Sequence, residues 1–329
     1  MNEIQTSMPA HRENRIQYLD WLKLIAAWLV VFYHLSYYRI DYAYVPGAVY
    51  WPNLNRIAMC FASCSVPIFF LVNGTLMFRR HRPWREPLLK ACKILALILI
   101  WYLADFPYWF FRTLIILYLL FPMLQLLKER RPLLLRLLCL AVFGMPFCYN
   151  LLLMILKGLA LADLAPDWTA DLTVTGCFTM YSILYFCMGP HLAKSKKWPL
   201  AVCLVWIGIG WFLVATECVI YTNTYRAVWD GVNSAFPTVG AGMLAVGVFM
   251  LARHIPAHFG EKFLRWVGEG VLAIYLLHMA LIHLVSNFLP SEHCSFVLCM
   301  AAACLVCAAC ILVQKIAKRS SRLNWLFRV

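Results

Sequence analysis

Ten apolar runs, each close to the roughly 18 to 22 residues that a hydrocarbon core demands, dominate this chain of 329 residues. They lie near 18–37, 57–78, 88–105, 108–127, 134–156, 172–192, 199–218, 235–252, 266–286 and 294–314. No segment between them has the length of an ordinary soluble domain. The spacing therefore predicts one all-α polytopic membrane domain over residues 1–329, a bundle of about ten transmembrane helices. Composition agrees, because 63% of the residues are hydrophobic and only 13% are charged, too few to clothe a water-facing surface.

The formal charge of +14 follows from topology. The Lys and Arg residues are scattered between apolar runs and build no continuous basic face, which argues against nucleic acid as a partner. Of the 29, 23 fall at the N-terminus, in alternate connections and in the tail; 5 (Arg39, Arg56, Arg112, Lys157, Arg226) fall on the opposite side, and Lys23 lies inside the first run. By the positive-inside rule the N-terminal segment 1–17 and the basic tail 315–329 face the cytoplasm of a cell membrane. Arg12 and Arg15 precede the first run as in a signal peptide, but the HLSYYRIDY that follows offers no small-residue cleavage site, so the run is an uncleaved span. Aromatic residues in YYRIDYAYVPGAVYWPNLN, LADLAPDWTAD and YTNTYRAVWDGVN suit anchors at a membrane interface.

The fourteen cysteines sit mostly inside apolar runs, as small hydrophobes. Cys304, Cys307 and Cys310 have metal-like spacing but no acidic or His context, so helix packing explains them and no metal is implied. Cys218 and Cys294, near two connections, are candidates for a bridge.

Ionisable residues inside a span point to function by default. The first run, YLDWLKLIAAWLVVFYHL, carries Asp20, Lys23 and His34. From Lys23 to His34 a helix turns through about 1,100°, three turns plus about 20°, and rises about 16–17 Å. The two share a face, and Asp20, one turn before Lys23, neutralises it. One stripe thus offers an ion pair at the cytoplasmic end and an imidazole further out, where it suits a general base toward a hydroxyl. His278 and His283 are the other intramembrane histidines. A second constellation, SVPIFFLVNGTLMFRRHRP, runs from an intramembrane Asn73 into Arg79, Arg80 and Arg82. Such a cluster suits positive-inside anchoring, lipid contact and phosphate recognition alike.

In this pattern the chain resembles the membrane-bound acyltransferase family 3, especially the short members that O-acetylate surface polysaccharides, of the enterobacterial-common-antigen type. The resemblance is carried by Asp20, Lys23 and His34; by FFLVNGTLMFRR; by Trp109, Phe110, Tyr118 and Pro122; by Tyr185, Phe186 and Gly189; and by Gly268, Ile274, Tyr275, Leu276 and His278. Lys23 stands where the family usually has Arg, Asn73 where it has Ser, and Val271 where a second Ser is usual.

The resemblance implies acyl transfer, acetyl above all, from cytosolic acetyl-CoA or another acyl-CoA to a hydroxyl of a lipid-linked or surface glycan. Arg79, Arg80, Arg82 and Lys23 would then hold the coenzyme phosphates. Asp20 would orient Lys23, His34 would act as base, and Asn73, Tyr275 or His278 would donate to the developing oxyanion. Direct transfer and a covalent acyl-His intermediate both fit. The rival is a lipid or glycan transporter in which the same residues form a proton relay. The absence of an internal repeat or of paired broken helices weighs against it.

The topology makes its own prediction. Green fluorescent protein fused after Val329 should fluoresce, while alkaline phosphatase at the same place stays inactive; the opposite pair of results would invert every connection.

Overall fold

The computed structural model describes residues 16–36, 52, 54–101, 109–159, 177–225, 232, 235–268, 270–288 and 295–320. Most of the N-terminal segment, the tail from residue 321, much of the aromatic connections, Arg39, Arg226 and Cys294 lie outside the described residues.

Among the described residues the chain is helical, with no strand. The helices are α1 (Gln17–Ser36), α2 (Leu54–Met59), which continues through a 3-10 turn (Cys60–Cys64) into α3 (Ser65–Met77), α4 (Arg85–Trp101) and α5 (Trp109–Arg130). Next come α6 (Pro132–Leu138), joined by a π-helical turn (Cys139–Phe143) to α7 (Met145–Gly158), then α8 (Cys177–Lys194), α9 (Leu200–Tyr225) and α10 (Val239–Ala252). The last are α11 (Glu261–Val267), α12 (Gly270–Ser286) and α13 (Phe296–Ala317).

Each apolar run carries helix. Among the described residues, six stretches are long and apolar enough to cross a membrane: 17–36, 54–77, 109–130, 132–158, 200–224 and 296–317. A seventh forms if α11 and α12, bent by 55°, count together. The chain is therefore a polytopic all-α membrane protein. Within the described residues the remaining three runs hold α4, α8 and α10, which do not there reach the length and apolarity of a solitary span. For α10 the reason is enclosure. Its 14 residues, VGAGMLAVGVFMLA, are mostly buried against other helices, and a helix wrapped in protein need not match the bilayer's full thickness.

Small residues set the crossings, as they do where lipid removes the hydrophobic drive for helix association. A Cβ at Gly74 would lie 1.8 Å from the Phe186 carbonyl oxygen, and one at Gly189 would lie 2.0 Å from that of Leu71. Helices α3 and α8 thus touch backbone to backbone at two places. Helices α9 and α10 do the same at Gly210, where a Cβ would meet the Leu244 nitrogen at 2.5 Å. Helix α1 packs against α3, α12 and α13, which places its stripe of ionisable groups inside the bundle.

Polar side chains lock the helix ends. Arg253, just after α10, donates to the Leu192 carbonyl at 2.7 Å and to the Ser195 carbonyl at 2.7 Å, closing the end of α8. Trp21 of α1 donates to the Phe259 carbonyl at 3.0 Å, next to Gly260, whose φ of 68° suits glycine.

Burial adds to one sequence reading and corrects another. Arg56, counted among the residues of an outward connection, is fully buried, with Nη1 3.8 Å from the Met59 sulfur. Cys218, placed near a connection, is buried in a small cluster with Cys60, Val214, Ala235 and Ala241. The tail cysteines do pack: Cys307 and Cys310 are buried on α13, and Cys304 accepts a hydrogen bond from Trp28 at 3.3 Å.

Because the neighbours at Gly74 and Gly189 are backbone atoms, overpacking there costs on the order of 1–3 kcal/mol. Gly74→Ala and Gly189→Ala should each lower the thermal midpoint of the detergent-solubilised protein. Gly208→Ala, where a Cβ meets nothing within 4 Å, should leave it unchanged; equal midpoints for all three would refute the crossing as described.

Candidate active site

Helix α1 brings two kinds of chemistry to one face. Near its start Lys23 Nζ lies 3.0 Å from Asp20 Oδ1, with both side chains partly buried. A carboxylate one turn away makes an ammonium tolerable at this depth. Near its end His34 is partly buried, its ring 5.4 Å from that of His278 on α12 and 5.0 Å from that of Tyr33.

Two cavities open on this face. A cleft of ≈ 930 Å³ reaches both members of the ion pair, Lys93 of α4, Asn73 of α3 and Tyr118 of α5. Its volume is that of a site for a large ligand. A second cavity, of ≈ 20 Å³, has His34, His278, Tyr33, Ser65 and Trp109 in its wall, room for about one water. Tyr275 of α12 lines both. Its ring packs on Phe110 and Phe111, with centroids at 4.9 and 5.0 Å. The wall between cleft and chamber is thus aromatic. The adjacent Trp109 and Phe110 divide between the cavities, Trp109 lining the chamber and Phe110 the cleft.

This wall sorts the residues expected to act together. Asp20, Lys23 and Asn73 belong to the cleft; His34 and His278 belong to the chamber; Tyr275 serves both. Asn73 donates one amide hydrogen to the Phe69 carbonyl at 2.9 Å and accepts from the Tyr118 hydroxyl at 3.2 Å, leaving one N–H. His278 is fully buried, and its Nδ1 lies 2.8 Å from the Tyr275 carbonyl oxygen and 3.1 Å from that of Ile274. Carbonyls only accept, so Nδ1 carries the proton and Nε2 presents a lone pair. In its neutral form His278 therefore cannot be the oxyanion donor that its place in the sequence suggests.

The arginines separate as well. None of Arg79, Arg80 and Arg82 lines the cleft. Arg82 donates to the Met77 carbonyl at 3.0 Å and to the Leu76 carbonyl at 3.1 Å, and pairs with Glu86. It caps the end of α3, where helix carbonyls lack partners, so its guanidinium is committed to structure. Arg80 is exposed and lies 3.3 Å from Glu86; Arg79 is also exposed. Gln125 of α5 holds this connection in place, accepting from the Arg82 amide at 3.0 Å and donating to the Arg82 carbonyl at 3.2 Å.

The sequence reading gives no site role to three residues. Lys93, counted there with the cytoplasmic anchors, lines the cleft, and its signal is a cation set within an apolar helix. Tyr118 lines the cleft too and fixes Asn73. Glu217 is a carboxylate buried within the apolar α9, a signal that the sequence does carry, and it lies apart from both cavities.

What the arrangement offers is an imidazole in a small chamber also lined by Ser65 and Tyr33, separated by an aromatic wall from a cleft lined by two lysines. Such a chamber strengthens every charge interaction inside it. A family model described as an acyltransferase domain, that of acyltransferase family 3, matches residues 16–104 and 87–313. No curated protein and no solved structure matches the chain. The matched stretches hold the α1 stripe, Asn73, Tyr275 and His278, and they run through nearly the whole chain; the chain belongs to acyltransferase family 3 and is a multi-pass membrane acyltransferase.

Proposed function

We propose that the protein is an O-acyltransferase that moves an acyl group, acetyl in the first instance, from cytosolic acyl-CoA to a hydroxyl of a lipid-linked or surface glycan. It works as a single domain in the cell membrane, with ten spans and both termini in the cytoplasm. The observation that carries the reading is the pair of cavities joined at Tyr275, one sized for a large ligand and the other holding the histidines.

The cleft fits a coenzyme with phosphates and a long flexible arm. Lys23 and Lys93 supply positive charge to its wall, and Asp20 keeps the Lys23 ammonium in place. A lysine meets phosphate as a point charge rather than a two-pronged fork. Arg79 and Arg80 add an exposed positive field just beyond α3, the helix that carries Asn73 into the cleft. Arg82 is left out of coenzyme binding because it caps α3. The distance along α1 from Lys23 to His34, about 16–17 Å, matches the reach of a pantetheine arm, which would put the thioester at the aromatic wall.

His34 takes the proton of the acceptor hydroxyl as its oxygen attacks the thioester carbonyl. Tyr275, which lines both cavities, donates its hydroxyl hydrogen to the oxygen on which charge develops. The proton held on His34 then leaves with the coenzyme thiolate. The chamber's small volume keeps bulk water from competing as acceptor.

Membranes carrying the chain should transfer radiolabelled acetyl from acetyl-CoA into a glycan or glycolipid fraction. At equal abundance His34→Ala should lower the rate by about 10²- to 10⁴-fold, the usual worth of a general base. Lys23→Met and Lys93→Met should each raise the KM for the coenzyme by roughly tenfold or more, as expected for a lost charge-assisted contact. A chain that labels nothing across a broad acceptor panel and binds no coenzyme A would sink the reading.

A further inference from the structure

The neutral tautomer of His278 is fixed by its own helix. Nδ1 stands 2.8 Å and 3.1 Å from two carbonyl oxygens, which can only accept. The other nitrogen, Nε2, is buried and has no hydrogen-bond partner among the described residues, on a side chain that is 0% exposed. A buried acceptor left without a donor is destabilising, and this one belongs to a ring that lines the chamber. The ring opposite is His34, 5.4 Å away centre to centre, and the space both rings line has room for about one water. Hydrogen bonds of this kind are often open in the absence of substrate and close in the reactive complex.

We propose that His278 is a positioning residue for His34: its Nε2 lone pair receives the N–H of His34, directly or through one water, so that the remaining His34 nitrogen faces the acceptor hydroxyl. This rests on the acyltransferase reading above. A neutral imidazole has one N–H and one lone pair, and which nitrogen of His34 holds which needs a partner to decide it. His278 makes that choice. When His34 takes the hydroxyl proton it becomes an imidazolium with two N–H groups; the one facing His278 is held by a lone pair, and its charge is shared across the two rings. After the carbon–sulfur bond breaks, the proton gained from the hydroxyl passes to the thiolate and both rings return to their neutral tautomers. The balance closes with the hydroxyl and the thioester as the only reactants.

The competing explanation is that His278 serves only as an anchor, tying its side chain back to α12 through Nδ1. Two substitutions separate these. Asn places an amide N–H near Nδ1 and nothing at Nε2; Gln places an amide oxygen near Nε2 and gives up the anchor. Acetyl transfer should therefore be measured for wild type, His278→Asn and His278→Gln in proteoliposomes at equal abundance. The expected order is wild type, then Gln with kcat down about tenfold, then Asn with kcat down about 100-fold or more, within the range for a disabled base, and with the KM for acetyl-CoA unchanged in both. Asn retaining as much activity as Gln, or more, would overturn the proposal in favour of the anchor.

A second readout is independent of turnover. In ¹⁵N spectra of histidine-labelled wild type, His278 should be the Nδ1–H tautomer, with an Nε2 resonance that moves on His34→Gln. An Nε2 that carries the proton, or one indifferent to His34, would overturn the proposal even if transfer is absent. Failure of wild type to transfer with these spectra as expected would instead count against the acyltransferase reading alone.

Discussion

The carbonyl oxygens of Leu71 and Phe186 occupy the places that side chains would need at Gly189 and Gly74. The α3 side of the site depends on that contact. It presses α3 against α8 so closely that the direction of α3 is set, and with it the entry of Asn73 into the cleft and of Ser65 into the chamber. In lipid the approach cannot be driven by expelling water, so it relies on dispersion between fitted surfaces and on the absence of two Cβ atoms. The Arg82 cap finishes the same helix, and Gln125 ties the cap to α5. The positive charge at the end of α3 is therefore partly a fastening, with Arg79 and Arg80 left exposed beyond it.

The helices are legible in the sequence because their signal is local. A run such as VFMLA or LVVFY needs no knowledge of its neighbours to be read as membrane helix, and the shared face of Lys23 and His34 follows from the helical repeat alone. Lys23 and Asp20 do pair, as that repeat suggests, whereas the approach of His34 to His278 is not read from it. What a sequence does not display is which residues face each other across helices. Asn73 groups with His278 as an oxyanion donor on paper, yet the wall formed by Tyr275 and Phe110 puts the two in different cavities. The three arginines look equivalent because they are close in the chain, and only the free carbonyls at the end of α3 distinguish Arg82. Arg56 looks like a loop residue because the apolar run starts beside it, and the packing of α2 then buries it.

Family membership and geometry bear on different links. The family gives the class of reaction; the cavities separate the groups available for it. A lysine at position 23 is consistent with that division, since the cleft draws on two separated lysines, Lys23 and Lys93, rather than on one forked group. The hydroxyl missing at position 73 is replaced by an amide that Tyr118 holds, so the α3 wall of the cleft keeps a polar group at the same level.

The aromatic wall has a consequence for the membrane itself. A helix that carries a carboxylate, an ammonium and an imidazole along one stripe is the raw material of an ion conductor, because a continuous file of water along it would let protons run down the electrical gradient. Tyr275, seated on Phe110 and Phe111, stands between the cavity that reaches Lys23 and the one that reaches His34. Rings packed in this way would act as electrical insulation, the condition under which a membrane can hold titratable groups at depth without being discharged.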